Sequence, residues 1–149
     1  VYGGNSDLPF KVSDRSDSPL SLYAATKKSN ELVAYTYSSL FGIRCTGMRF
    51  FTVYGPWGRP DMALFLFVEA LKKNEYIKVF NNGQMKRDFT FIDDIIEGIY
   101  IIINNPALKS DNSTKRNYKG APNKIYNIGN NNPVKLMDFI ESIEFVFGK

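Results

Sequence analysis

The run Gly55-Pro56-Trp57-Gly58-Arg59-Pro60 cannot be helix or strand, because its prolines and glycines break either element. It separates two different periodicities. Ile43 to Tyr54, before it, is β-rich and mostly apolar, the pattern of a buried strand. Met62 to Lys73, after it, is apolar at Leu64, Phe67, Val68 and Leu71, which is helical spacing. The alternation continues on both sides. Ser18-Pro19 reads as an N-cap and first-turn proline for a helix from about Leu20 to Leu40, stopped by Gly42. Tyr76 to Phe80 and Arg87 to Phe91 read as strands around the turn Asn81-Asn82-Gly83. Asp93 to Ile103 reads as a helix whose leading acids suit its N-terminal dipole. Residues 105–123 are a polar loop, Ile125 to Ile128 a strand, and Val134 to Phe147 an amphipathic helix after Pro133. Strands alternating with helices indicate an α/β protein.

Composition narrows the chemistry. The chain has 149 residues, enough to bury a core, and its net charge of +4 comes from scattered Lys and Arg rather than a block. That distribution argues against a nucleic-acid partner and for a pocket that takes a small anion. There is no histidine, so triads, zinc sites and general bases built on imidazole are excluded. Proton transfer falls to Tyr, Lys or carboxylates. The one cysteine, Cys45, lies in an apolar run and reads as a small buried hydrophobe. Asp93 and Asp94 read as helix-capping acids, and no metal is expected. No secretory signal or membrane-length apolar run is visible, which makes a cytoplasmic location the expectation and a membrane partner unexpected.

Tyr23 and Lys27 stand one helical turn apart, on one face. A nearby ammonium favours an ionised phenol, so this pair suits a base that takes a proton from a hydroxyl group. In a chain rich in Tyr and Lys the spacing alone arises by chance, and the flanking segments must decide.

Those segments are Val1-Tyr2-Gly3, Tyr23-x-x-x-Lys27, and Met48-Arg49-Phe50-Phe51-Thr52-Val53-Tyr54-Gly55-Pro56-Trp57-Gly58-Arg59-Pro60-Asp61-Met62. After them come Lys86-Arg87-Asp88-Phe89-Thr90-Phe91-Ile92-Asp93-Asp94 and Tyr126-Asn127-Ile128-Gly129. In this order the chain resembles the extended short-chain dehydrogenase/reductases that act on nucleotide sugars, and within them the UDP-glucuronate 4-epimerases. The resemblance implies the second half of a Rossmann-like doubly wound sheet plus a smaller α/β substrate-binding subdomain. Residues 1–61 would belong to the NAD-binding domain. Residues 62–149 would form mainly the nucleotide-sugar subdomain, with some segments returning to the sheet.

The resemblance also implies roles. Tyr23 would be the catalytic base at the sugar 4-hydroxyl, with NAD as hydride acceptor. Lys27 would support Tyr23 and hold the nicotinamide ribose. Phe50, with Phe51, would line the nicotinamide pocket, although aromatics on a buried strand are more often core. Thr52 and Arg59 would hold a uronic-acid carboxylate, a structural threonine and a solvated loop charge being the alternatives. Arg87 would meet the UDP diphosphate, the alternative being a surface pair with an acid such as Asp88. Val79 and Phe80 align near the uracil but read as core, and Trp57 reads as a packed anchor of its loop. The helix carrying Tyr23 would pair with its twin in a homodimer, with Leu32, Tyr35 and Leu40 as candidates for that face, the domain's own core being the equal alternative for them.

Two family features are not found: the Gly-x-x-Gly-x-x-Gly turn for the NAD pyrophosphate, and the catalytic Ser or Thr expected shortly before Tyr2. The chain therefore reads as a second half whose activity alone is doubtful. The competing readings are a related decarboxylase or 4,6-dehydratase, or a non-catalytic fragment that binds a UDP-sugar or dimerises.

Overall fold

The computed structural model describes residues 1–4, 8–109 and 120–148. The chain divides into two compact units, each made of two segments: 1–49 with 98–128, and 50–97 with 129–149. The chain thus crosses between units three times.

In the first unit, helix α1 (Leu22–Phe41) lies with a two-stranded sheet of β1 (Cys45–Phe50) and β4 (Asn123–Ile128). The helix starts later than Ser18-Pro19 suggested. Its N-cap is Ser21, whose hydroxyl accepts from the Ala24 N–H at 3.1 Å. It ends at Gly42 as expected: the glycine is left-handed (φ 67°) and donates its N–H to the Ser38 carbonyl. The apolar run from Ile43 to Tyr54 is not one strand. It breaks at Phe51, so β1 joins β4 while β2 (Thr52–Tyr54) joins another sheet.

In the second unit, β2 runs parallel to β3 (Lys86–Phe91), and β3 pairs antiparallel with β5 (Pro133–Lys135). Helices α2 (Ala63–Lys73) and α4 (Leu136–Phe147) supply the core: Phe67 and Leu71 from one, Leu136, Ile140 and Ile143 from the other. Both sets recur every third or fourth residue, one stripe of a helix. Helix α3 (Ile92–Asn104) follows β3 directly, with Asp93 and Asp94 in its first turn.

Several sequence expectations need correction. Residues 76–80 are irregular rather than a strand, and Asn81–Gly83 is a short 3-10 turn. The last helix begins two residues late, because Pro133 to Lys135 pair with β3 first. Trp57 anchors nothing: it is fully exposed, at a positive φ of 64°. Phe80 is also exposed rather than core. Most of the loop expected over 105–123 lies outside the described residues; 105–109 are irregular and β4 already starts at Asn123. No helix among the described residues is long and apolar enough to cross a membrane.

Thr90, on β3, is buried and its hydroxyl has no hydrogen-bond partner. A buried polar group left unpaired costs about 1–3 kcal/mol, so the nearly isosteric Thr90→Val is expected to hold or raise the melting temperature. Thermal unfolding of the two proteins checks this.

Candidate functional site

In the first unit, α1 presents Tyr23 and Lys27 on one exposed face. Tyr23 is 67% exposed, and the Lys27 Nζ lies 5.2 Å from the centre of its ring. An ammonium over an aromatic face is an attractive arrangement, and it holds the charge beside the phenol. Of the candidate pairing residues, Leu32 and Leu40 are exposed along the helix, as are Tyr37 and Phe41, whereas Tyr35 is half-buried.

The inward side of α1 is tied to β1 by ions. Arg49 donates from Nε to Glu31 Oε1 at 2.7 Å and from Nη2 to Oε2 at 2.9 Å, a two-point bond. Both side chains are largely buried, at 7% and 13% exposed. Arg49 Nη1 also donates to the Tyr2 hydroxyl at 2.8 Å, and that hydroxyl donates to Asn127 Oδ1 on β4 at 2.5 Å. Asn127 in turn donates to the Phe10 carbonyl. The Lys28 ammonium completes the group, 2.9 Å from Glu31 Oε2.

Burial pushes the Glu31 carboxyl up, but the bonds and charges of Arg49 and Lys28 outweigh it and hold it below its ordinary value. The bond to Glu31, against the opposing effect of burial, raises Arg49 above its ordinary value. A carboxyl depressed in the folded state stabilises above its unfolded value, and the contribution is lost as pH falls through the folded one. The gap in melting temperature between wild type and Glu31→Gln is therefore expected to be largest at neutral pH. It should shrink below a pH of about 4.3, the ordinary glutamate value. Melting curves at stepped pH check it.

The second unit holds a cavity of about 680 Å³. Thr52 and Tyr54 of β2, Arg87 and Phe89 of β3, and Phe139 of α4 line it. Phe89 and Phe139 stack at 4.5 Å, with Tyr54 edge-on to Phe89. Alternation along the strand puts residues 87 and 89 on one face, which is why Arg87 shares this wall with an aromatic. Asp88, on the other face, accepts the backbone N–H groups of Asn131 (3.1 Å) and Asn132 (3.4 Å). It therefore closes the turn before β5 rather than pairing with Arg87. Gly129 makes room for this, because a Cβ there would fall 2.5 Å from the carboxylate.

Thr52 and Arg87 are thus brought to one cavity. Arg59 is in the adjoining loop, exposed and paired with Asp61 at 3.2 Å; Asp61 and Gly58, not Arg59, reach the lining. Phe50 is half-exposed at the end of β1, and Val79 does not line the cavity although Phe80 does. Sequence reasoning missed Glu31, Arg49 and the lining residues Tyr76 and Lys78. Among the described residues no group of side chains has a metal-binding arrangement.

The NAD dependent epimerase/dehydratase family matches residues 1–129, and the chain belongs to that family, with its Rossmann-like α/β architecture. It is 54% identical to Protein CapI of Staphylococcus aureus, across 100% of this chain and 46% of that protein. It is 45% identical to a probable UDP-glucuronate 4-epimerase of Rhizobium meliloti (strain 1021), across 100% and 45%. The UDP-glucuronic acid 4-epimerase from Bacillus cereus, solved with UDP-glucuronic acid and NAD, matches with a TM-score of 0.81 at 34% identity. That match covers 100% of this chain and 43% of the solved one. The chain spans a little under half the length of these relatives.

Proposed function

We propose that this chain forms part of an NAD-dependent nucleotide-sugar 4-epimerase, with UDP-glucuronate and UDP-galacturonate as the interconverted pair. The observation that carries the reading is the cavity that combines Thr52 and Arg87 with a stacked aromatic wall. A cation for a diphosphate, a hydroxyl for a second polar group and flat apolar surface for a base are what a nucleotide sugar needs. The likeness to enzymes named for this reaction supports it.

The exposed phenol and ammonium at the start of α1 fit the hydroxyls of a nicotinamide ribose, with half-exposed Phe50 as a further contact. NAD, when bound, supplies a hydride acceptor and donor for the sugar C4. Tyr23 takes the proton of the 4-hydroxyl and returns it after the 4-keto sugar has presented its other face. Lys27 keeps positive charge beside the phenol throughout. Arg87 pairs with the diphosphate.

A 4-keto uronic acid is a β-keto acid and loses carbon dioxide readily. Epimerisation without that loss requires the carboxylate C–C bond to stay out of line with the ketone. Thr52 and Arg59 serve that purpose, Arg59 by exchanging Asp61 for the substrate carboxylate in a two-point bond. The exposed apolar residues of α1, Leu32 and Leu40 among them, suit pairing with a second copy in a homodimer.

Incubation of the intact protein with UDP-glucuronate and NAD tests the reading. UDP-galacturonate is expected. A UDP-pentose with release of carbon dioxide would assign a decarboxylase instead, and no conversion would leave a binding protein.

A further inference from the structure

We propose that the two-point bond between Glu31 and Arg49 is a positioning device that sets the rotation of α1, and with it the presentation of Tyr23 and Lys27. The proposal rests on the catalytic reading of that pair given above.

A helix is ordinarily held in rotation by large apolar side chains on its inner face. The first half of α1 has none there. Its less exposed positions are Ala24, Ala25, Lys28 and Glu31, and its large apolar residue, Leu22, is exposed; the first large ring on the inner side is the half-buried Tyr35, one turn beyond Glu31. Alanine faces let a helix turn and slide at little cost in contact. What fixes the setting is directional: a guanidinium fork meets a carboxylate along two parallel bonds, and neither bond survives a large rotation.

The anchor is itself immobilised. Arg49 sits on β1, and its third nitrogen bonds Tyr2, which bonds Asn127 on β4. Tyr2 also stacks on Phe10 at 4.7 Å, so strand, N-terminal segment and helix share one polar junction. Glu31 lies one turn beyond Lys27 and two beyond Tyr23. At that range a helix is stiff, and a turn at Glu31 carries both side chains with it. A buried ion pair contributes little net stability compared with apolar packing, so orientation is the better account of its use.

The test replaces Arg49 by Lys, which keeps the charge but loses the fork, and Glu31 by Gln, which keeps the shape but loses the charge. In the intact protein both are expected to lower kcat by about tenfold or more, the scale of small misplacements in a site. KM should stay within about threefold, with assays run below the melting temperature of each variant. Glu31→Asp, which keeps the fork one bond shorter, should recover part of the loss. An activity-independent readout comes from 3-fluorotyrosine labelling, with the Tyr23 fluorine resonance assigned by its disappearance in Tyr23→Phe. That resonance should shift in both fork-breaking variants. An unmoved resonance with unchanged kcat, together with a lower melting temperature, would overturn the proposal and leave a purely stabilising pair. If the wild type proves not to be an epimerase, the catalytic reading fails separately, and the fluorine shift still decides whether the pair orients α1.

Discussion

Replacing Tyr23 by Phe is expected to lower epimerase turnover by about 10²–10⁴-fold, the usual worth of one positioned acid–base group. The substitution removes one oxygen and keeps the ring. Lys27 remains over that ring, since the attraction is to the aromatic face rather than to the hydroxyl. The side chain is mostly exposed, so the melting temperature should not move, and lost turnover then reports on chemistry alone. Substrate binding should change little, because Thr52, Arg87 and the aromatic wall are left intact. Initial rates of UDP-galacturonate formation over a range of UDP-glucuronate concentrations give kcat and KM together. Turnover within about threefold of wild type would remove Tyr23 from the mechanism. A parallel Lys27→Met variant should also lose turnover, because it takes the charge away from the phenol.

How much of this was legible in the sequence follows the physics of each residue. The helices were visible because a stripe such as Leu64, Phe67, Val68 and Leu71 faces one way only in a helix. The Gly55–Pro60 break was visible because proline and glycine act locally. The division of Ile43 to Tyr54 was not, since β1 and β2 are equally apolar and only their partners in two different sheets part them at Phe51. Residues 76–80 have the composition of a strand, but among the described residues β3 pairs with β2 and β5 rather than with them. Ser21 outcompeted Ser18 as the cap, a difference of one turn that local propensity cannot rank.

The candidate site divides in the same way. Tyr23 and Lys27 could be singled out as candidates because their relation is local, one turn of a helix. Arg87 was singled out by its motif, and the structure puts it in the wall of a cavity. Glu31 and Arg49 were missed because their relation spans 18 positions of chain. A signal was present all the same. An arginine inside an apolar strand must find a counter-charge, and Glu31 is the acid on the preceding helix. The backbone partners of Asp88 were missed for a related reason: they are amides from a distant turn, and nothing in its own neighbourhood announces them.

Replacing Gly55 by Ala is expected to destabilise the protein by about 2–4 kcal/mol, from backbone strain and overpacking together. Gly55 follows the last residue of β2 and holds φ at 136°, a region closed to side-chain-bearing residues without strain. The added methyl would also meet Ile92 Cγ2 at 2.6 Å and Phe91 Cε2 at 3.1 Å. Those atoms cannot withdraw freely. Phe91 ends the strand paired with β2, opposite Tyr54, and Ile92 is the first residue of α3. Relief therefore means pushing the end of β2 away from the start of α3, and Thr52 and Tyr54 on β2 are walls of the cavity. Nucleotide-sugar affinity should fall along with stability. Gly42→Ala supplies the comparison. Its φ of 67° is also left-handed, but nothing lies within 4 Å of the new methyl. It should cost only the conformational penalty, about 1–2 kcal/mol, and leave the cavity untouched. Urea unfolding of the three proteins, with UDP binding measured in parallel, separates strain from collision. A Gly55→Ala protein no less stable than Gly42→Ala, with unaltered UDP affinity, would show that β2 yields without consequence for the cavity.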